Sequence, residues 1–223
     1  MTYFKFFNSK SQKGFTLIEL LVVMMIITVI YGALLRNQDS FYEKFQVDEK
    51  VDNLAIAFRK AQVYTLGARE FVCSDDGTKR FTGSYGVNVD MNTADRFNPF
   101  VFLDANSDGK YLAVDDACYT ADPVILSAPG ISRICGAISS GPKRCYPGNS
   151  ATLRQISVTF QRPNPRPVIK FLNTANNEMS ELQDHQNTAA YIYFTYPNQP
   201  GEAEVKVEFS GQVSVRYCPT TCN

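Results

Sequence analysis

The sequence predicts an α+β protein in which a long N-terminal helix, membrane-embedded over its first half, packs its second half on an antiparallel β-sheet body. Three observations predict it. Residues 15–35 carry a single charge, no proline or glycine interrupts residues 33–66, and beyond residue 68 the apolar period changes from helical to two. The 223 residues hold 22 basic and 22 acidic side chains, and 44% are apolar or aromatic, enough to bury a core and to exclude a disordered chain. A neutral balance also argues against a nucleic-acid partner held by bulk charge.

The charges are unevenly placed. Lys5, Lys10 and Lys13 precede the apolar run with no acid among them, and Glu19 is the one charge within residues 15–35. From Phe15 to Leu35 seventeen of twenty-one residues are apolar or aromatic, and as a helix the stretch is about 31 Å long, enough to span a bilayer core. The run Leu20 to Ile27 has no polar face to show water. Lysines on the N-terminal flank alone keep residues 1–14 cytoplasmic and place the C-terminus outside. Ile30 to Arg36 offers a poor site for ordinary signal cleavage, so the helix is expected to be retained. The carboxylate of Glu19, one turn inside the membrane, costs on the order of 3 kcal/mol if unpaired and so calls for a partner.

At these residues the sequence resembles the type IV pilin and type II secretion pseudopilin family. Its signature, a short basic leader ending in glycine followed by Phe-Thr-Leu-Ile-Glu-Leu-Leu-Val-Val, is matched throughout by Lys13-Gly14-Phe15-Thr16-Leu17-Ile18-Glu19-Leu20-Leu21-Val22-Val23. The resemblance implies a pilin fold, cleavage after Gly14 by a prepilin peptidase, and methylation of the new amine of Phe15. It also implies that Glu19 takes part in assembly. A free amine at Phe15 and the Glu19 carboxylate of a neighbouring subunit can compensate each other in apolar surroundings. The chain departs from many pilins at the twenty-second mature residue, where Arg36 stands in place of a helix-distorting proline.

The expected organisation is a leader at 1–14, a transmembrane helix at 15–35, the extracytoplasmic half of the helix at 36–66, and a globular body at 68–223. Apolar residues at Val47, Val51, Leu54, Phe58 and Ala61 recur at spacings of four and three, giving one buried face, with Gly67 as the stop. A continuous helix from Thr16 to Leu66 would be roughly 75 Å long, a spine rather than a domain helix. Strands are expected at 98–103, 156–160, 191–196, 205–209 and 213–217. The last two form a hairpin, for which a three-residue loop Ser210 to Gln212 sets Val207 opposite Val215 and keeps the valines on one face.

Cys73, Cys118, Cys135, Cys145, Cys218 and Cys222 fall on the oxidising side of the membrane. With no CxxC pair and one histidine, disulfides are favoured over a metal site. Six cysteines pair in fifteen ways. Short separations favour Cys135–Cys145 and Cys218–Cys222, leaving Cys73 with Cys118, but spacing alone does not fix the connectivity.

Asp104, Asn106 and Asp108, with Gly109, the Lys110 carbonyl and Asp115, reproduce the spacing of a calcium loop, with oxygen ligands at positions one, three, five, seven and twelve and glycine at six. A structural Ca2+ is the expected cofactor. The same residues also make an Asx-rich turn that needs no ion.

The resemblance implies a structural subunit of a type IV pilus or pseudopilus filament. Its partners would be other pilin or pseudopilin subunits, the prepilin peptidase, the inner-membrane assembly machinery and membrane lipid. It would cross the inner membrane once and pass into a periplasmic or extracellular filament. The alternative is a minor tip subunit that serves as a binding module for a surface, DNA or a secreted protein. Its cationic features are Arg162 and Arg166 in a proline-rich segment and the pair Lys143-Arg144, which also read as solvated connectors. An enzyme is not expected: His185 lies in a polar stretch, the cysteine count is even, and no glycine motif would cradle a phosphate.

Overall fold

The computed structural model describes residues 14–67, 71–72, 79–80, 83–91, 99–111, 122–123, 130–138, 141–150, 152–163, 166–179, 182 and 188–222. The leader residues 1–13, Cys73, Asp115, Cys118 and His185 lie outside this set. Compactness divides the chain into two units, Met1–Tyr42 and Glu43–Asn223.

One helix, α1 (Leu17–Leu66), runs for 50 residues. The first unit is described by this helix alone, and its segment Leu17–Leu34 has a mean hydropathy of 2.5 with no residue buried within the chain. Thr16 caps it: the Glu19 backbone N–H donates to Thr16 Oγ1 at 3.3 Å, and those of Glu19 and Leu20 donate to the Thr16 carbonyl.

Twelve strands follow among the described residues: β1 (Phe71–Val72), β2 (Lys79–Arg80), β3 (Ser84–Asp90), β4 (Phe100–Asp104), β5 (Asp122–Pro123) and β6 (Arg133–Ile138), then β7 (Arg144–Tyr146), β8 (Leu153–Phe160), β9 (Pro167–Asn173), β10 (Thr188–Thr195), β11 (Glu202–Glu208) and β12 (Val213–Cys218). All pair antiparallel, as the period-two pattern predicts. They build two five-stranded sheets, ordered β5-β4-β3-β8-β9 and β12-β11-β10-β6-β7, beside the small β1-β2 pair. The body is therefore α+β with two principal sheets, where the sequence suggested a single sheet on the helix.

The helix turns Val47, Val51, Leu54, Phe58 and Ala61 inward, each fully buried, in the register the spacing predicts. They share one core with Tyr85, Val87, Val101, Leu103, Ile156, Val158 and Phe160 of the first sheet and Ala190, Ile192, Phe194, Val205 and Val207 of the second. Polar contacts fix the helix on both sheets. Tyr85 N–H donates to Thr65 Oγ1 at 3.0 Å, Gln62 Nε2 to the Gly211 carbonyl at 2.7 Å, and Asn198 Nδ2 to Glu43 Oε1 at 2.6 Å. At the C-terminal end of the helix Arg162 Nε donates to the Thr65 carbonyl, which satisfies an end carbonyl and sets a cation at the negative pole of the helix dipole. Arg162 thus serves as a helix cap. Gly67 donates to the Val63 carbonyl at 2.8 Å and closes the last turn without a positive φ.

The terminal hairpin corrects the expected register. Val207 faces Val213 and Val205 faces Val215. The loop has three residues, as expected, but they are Phe209 to Gly211: the Glu208 N–H donates to the Gln212 carbonyl, and the Gly211 N–H to the Glu208 carbonyl. A three-residue loop needs its left-handed residue last, and Gly211 fills that position with φ 87°. Moving the loop by one residue shifts pairing by two, so the valines keep their common face.

Strand β8 also departs from simple alternation. Both of its faces are buried from Gln155 to Phe160. Its inner face carries Ile156, Val158 and Phe160, while on the outer face Ser157 and Gln155 bind the Asn88 side chain, each at 2.8 Å. The segment after β4 covers that network.

Candidate functional site

Two regions carry the residues that the sequence singles out. The first is the start of α1. Gly14 and Phe15 are exposed ahead of the helix, and Glu19 is exposed in its first turn. Thr16-Leu17-Ile18-Glu19 also has the Ser/Thr-x-x-Glu pattern of a capping box, whose N-cap half is present in the Thr16 hydroxyl contact. This local signal is legible in the sequence, where the longer methylation-type signature overlies it. It gives the helix a defined first turn directly after the Gly14-Phe15 bond, and the positive end of the helix dipole favours a carboxylate at Glu19.

The second region is the acidic loop after β4. Asp104 is fully buried and accepts the Asp108 N–H on Oδ1 at 3.2 Å and the Gly109 N–H on Oδ2 at 2.9 Å. Asn106 Oδ1 accepts the Asp108 N–H at 3.1 Å, and Asp108 Oδ1 accepts the Lys110 N–H at 3.0 Å. Asp108 also lies 3.7 Å from the Lys110 ammonium. Ser107 and Gly109 take positive φ values of 60° and 82°, which coil the backbone round the side-chain oxygens. Asp104, Asn106, Asp108 and Lys110 therefore converge on one turn.

Covering the first sheet is a further task of this loop. Tyr111 N–H donates to Ser157 Oγ at 3.3 Å, its carbonyl accepts Gln155 Nε2 at 3.3 Å, and its ring packs edge-on against Phe100 and Phe102 at 4.7 and 5.3 Å. Gly109 is buried so closely that a Cβ there would lie 2.7 Å from Val168. The buried Ser157 hydroxyl and Gln155 amide of β8 thus find partners in a loop that sequence spacing marks only for its acids.

Of the cysteines, Cys135 joins Cys145 and Cys218 joins Cys222, and no free thiol occurs among the described residues. Both bridges lie on the outward side of the second sheet, clustered with Tyr191 and Tyr193. Cys135 and Cys145 are direct cross-strand partners, so the bridge ties the edge strand β7 to β6. Among the described residues no group of three or more His, Cys, Asp or Glu side chains is placed to hold a metal.

Residues 9–35 match the family model of the prokaryotic N-terminal methylation motif. No curated protein and no solved structure matches the chain. The motif, standing at the head of an apolar N-terminal helix, fits a type IV pilin-like prepilin.

Proposed function

We propose that the chain is a structural subunit of a type IV pilus or pseudopilus filament. In this reading α1 anchors it in the inner membrane with the body outside, prepilin peptidase cuts after Gly14, and Phe15 is N-methylated. The observation that carries the proposal is the methylation motif on a capped, fully unburied apolar helix that continues as the core helix of the body. A second feature supports assembly with other subunits. On the body side of α1, Phe45, Ile56, Val63 and Leu66 are all more than half exposed. At 100° per residue they fall within about 80° of one another and opposite the face that holds Val51, Leu54 and Phe58. Asp52 and Arg59 fall in the same sector, so the outer face is mixed, with exposed apolar side chains that suit contact with a neighbouring subunit.

Glu19 has the assembly role in this reading: its carboxylate pairs with the Phe15 amine of an adjacent subunit. Replacing it with alanine should leave a cleaved, membrane-bound chain that is depleted from sheared filaments. Filaments that contain the Glu19→Ala chain at the normal level would remove that role.

The acidic loop is proposed to hold a structural Ca2+ through Asp104, Asn106, Asp108, the Lys110 carbonyl and Asp115. Its support is the convergence of the first three side chains on a turn with glycine at the sixth position. The ion would reinforce the cover of the first sheet and take no part in chemistry.

A further inference from the structure

The outward side of the second sheet carries an array of charges that filament assembly through α1 does not use. Two cross-strand rows define it. One runs Arg133, Tyr193, Glu204, Arg216 through β6, β10, β11 and β12, and the next runs Cys135, Tyr191, Lys206, Ser214 through the same four strands. Lys143, just before β7, reaches over both tyrosines, with its ammonium 4.1 Å from the Tyr191 ring centre and 3.0 Å from the Tyr193 hydroxyl. The two rings stack with centres 6.4 Å apart and planes 8° from parallel.

Together Lys143, Lys206, Arg216, Tyr191 and Ser214 line a groove of about 480 Å³ with Glu204 in its floor. The side chain of Glu204 is 3% exposed, while those of Lys143, Lys206 and Arg216 are 30%, 30% and 52% exposed. Arg216 and Lys143 share that one carboxylate, at 3.2 and 3.8 Å. Lys206 pairs away from it with Glu208, and Arg133 with Glu202. The anion is thus buried beneath, and the cations face the solvent. Burial first, and then the neighbouring Arg216, Arg133 and Lys206 charges, outweigh Glu204 and lower the Lys143 ammonium pKa. Lys206 is held as a cation by its hydrogen bond to Glu208, which raises its pKa, so Lys143, Lys206 and Arg216 stand against Glu204 and Glu208 and leave the groove with a net positive charge that attracts an anion.

We propose that this groove binds a ligand bearing several oxyanion groups, either phosphates or carboxylates. Three cations, Lys206 of β11, Arg216 of β12 and Lys143 just before β7, surround a volume larger than a single oxyanion, and the Arg216 fork suits a two-oxygen contact. Ser214 adds a neutral hydroxyl, and Glu204 sets the positions of Lys143 and Arg216.

The test is calorimetric titration of the full chain in uncharged detergent at low salt, with pyrophosphate in one arm and citrate in the other. Binding in at least one arm, at a Kd of about 1 mM or tighter, is expected. Arg216→Gln and Lys206→Gln should each weaken it about tenfold, roughly 1.4 kcal/mol, and Lys170→Gln on the other sheet should not. The binding arm identifies the oxyanion as phosphate, carboxylate or either. Lys206 does not ion-pair with Glu204, so Lys206→Gln keeps the test valid if Arg216→Gln disturbs the fold. Binding in neither arm would overturn the proposal, as would equal binding by wild type and Lys206→Gln.

Discussion

Tyr196, immediately after β10, donates its phenolic proton to the Asp48 carboxylate of α1 at 2.6 Å, joining two residues 148 positions apart. Tyr217 of β12 makes the parallel contact with Asp52 at 3.4 Å. One helical turn separates the two aspartates, so two strands of the second sheet are fastened to one stripe of the helix. Tyr196 is buried and its acceptor is a carboxylate, so Tyr196→Phe should lower the unfolding free energy by about 1.5–3 kcal/mol. Reversible denaturation of the full chain in detergent measures it.

The same contacts set an alkaline limit. Burial, together with the Asp52 and Asp48 charges, pushes the Tyr217 phenol from 10.0 to about 12, and burial and Asp48 raise that of Tyr196. The folded chain therefore holds these protons more tightly than the unfolded chain. Stability from them is fully present below pH 10 and falls as the pH rises from 10 to 12. Denaturation midpoints across that window should decline in the wild type and decline less in Tyr217→Phe. Equal slopes for both would show that Tyr217 does not contribute.

Buried and exposed positions of the helix should separate stability from assembly. Phe58 is fully buried and Ile56 is 56% exposed. Phe58→Ala should cost about 3–5 kcal/mol by leaving a cavity. Ile56→Ala should change stability by less than about 0.5 kcal/mol and should reduce the amount of the chain in sheared filaments. A large stability loss for Ile56→Ala would contradict the assignment of its face.

The disulfides offer a graded test. Cys135–Cys145 has a sequence separation of 10 and Cys218–Cys222 one of 4. Chain-closure entropy assigns about 3 kcal/mol to the first and about 2 kcal/mol to the second. Paired Cys→Ser variants, compared by denaturation, should keep that order.

For the acidic loop, millimolar calcium should raise the melting temperature of the full chain, and Asp104→Asn should remove most of the rise. An unchanged melting temperature would leave the loop as a metal-free Asx turn. Gly109→Ala should destabilise the loop with or without calcium, because φ 82° and a contact of 2.7 Å with Val168 both oppose a Cβ.

How much of this was legible in the sequence depends on the range of the interactions concerned. The helix and its inward register from Val47 to Ala61 follow from spacing alone, since a 3.6-residue period fixes which side chains share a face. The hairpin was legible to within one residue. Its loop length and common valine face were readable, and its placement turned on Gly211 taking the left-handed position at the loop's end. The burial of Ser157 and Gln155 was not legible, because it arises from Tyr111 folding back across β8 from 44 to 46 residues away. The groove around Glu204 was hidden for the same reason. Lys143 stands out beside Arg144 as a cationic pair, but Tyr191, Glu204 and Arg216 join it only through the pairing of β12, β11, β10, β6 and β7, and no local pattern marks those three.

The most direct test of the central claim is the intact mass of the chain recovered from membranes that contain prepilin peptidase. The account expects a chain that begins at Phe15, one methyl group heavier than residues 15–223 alone, and full-length chain when Gly14 is replaced by a bulky residue. A wild-type chain that keeps residues 1–14, or is cut elsewhere, would contradict it.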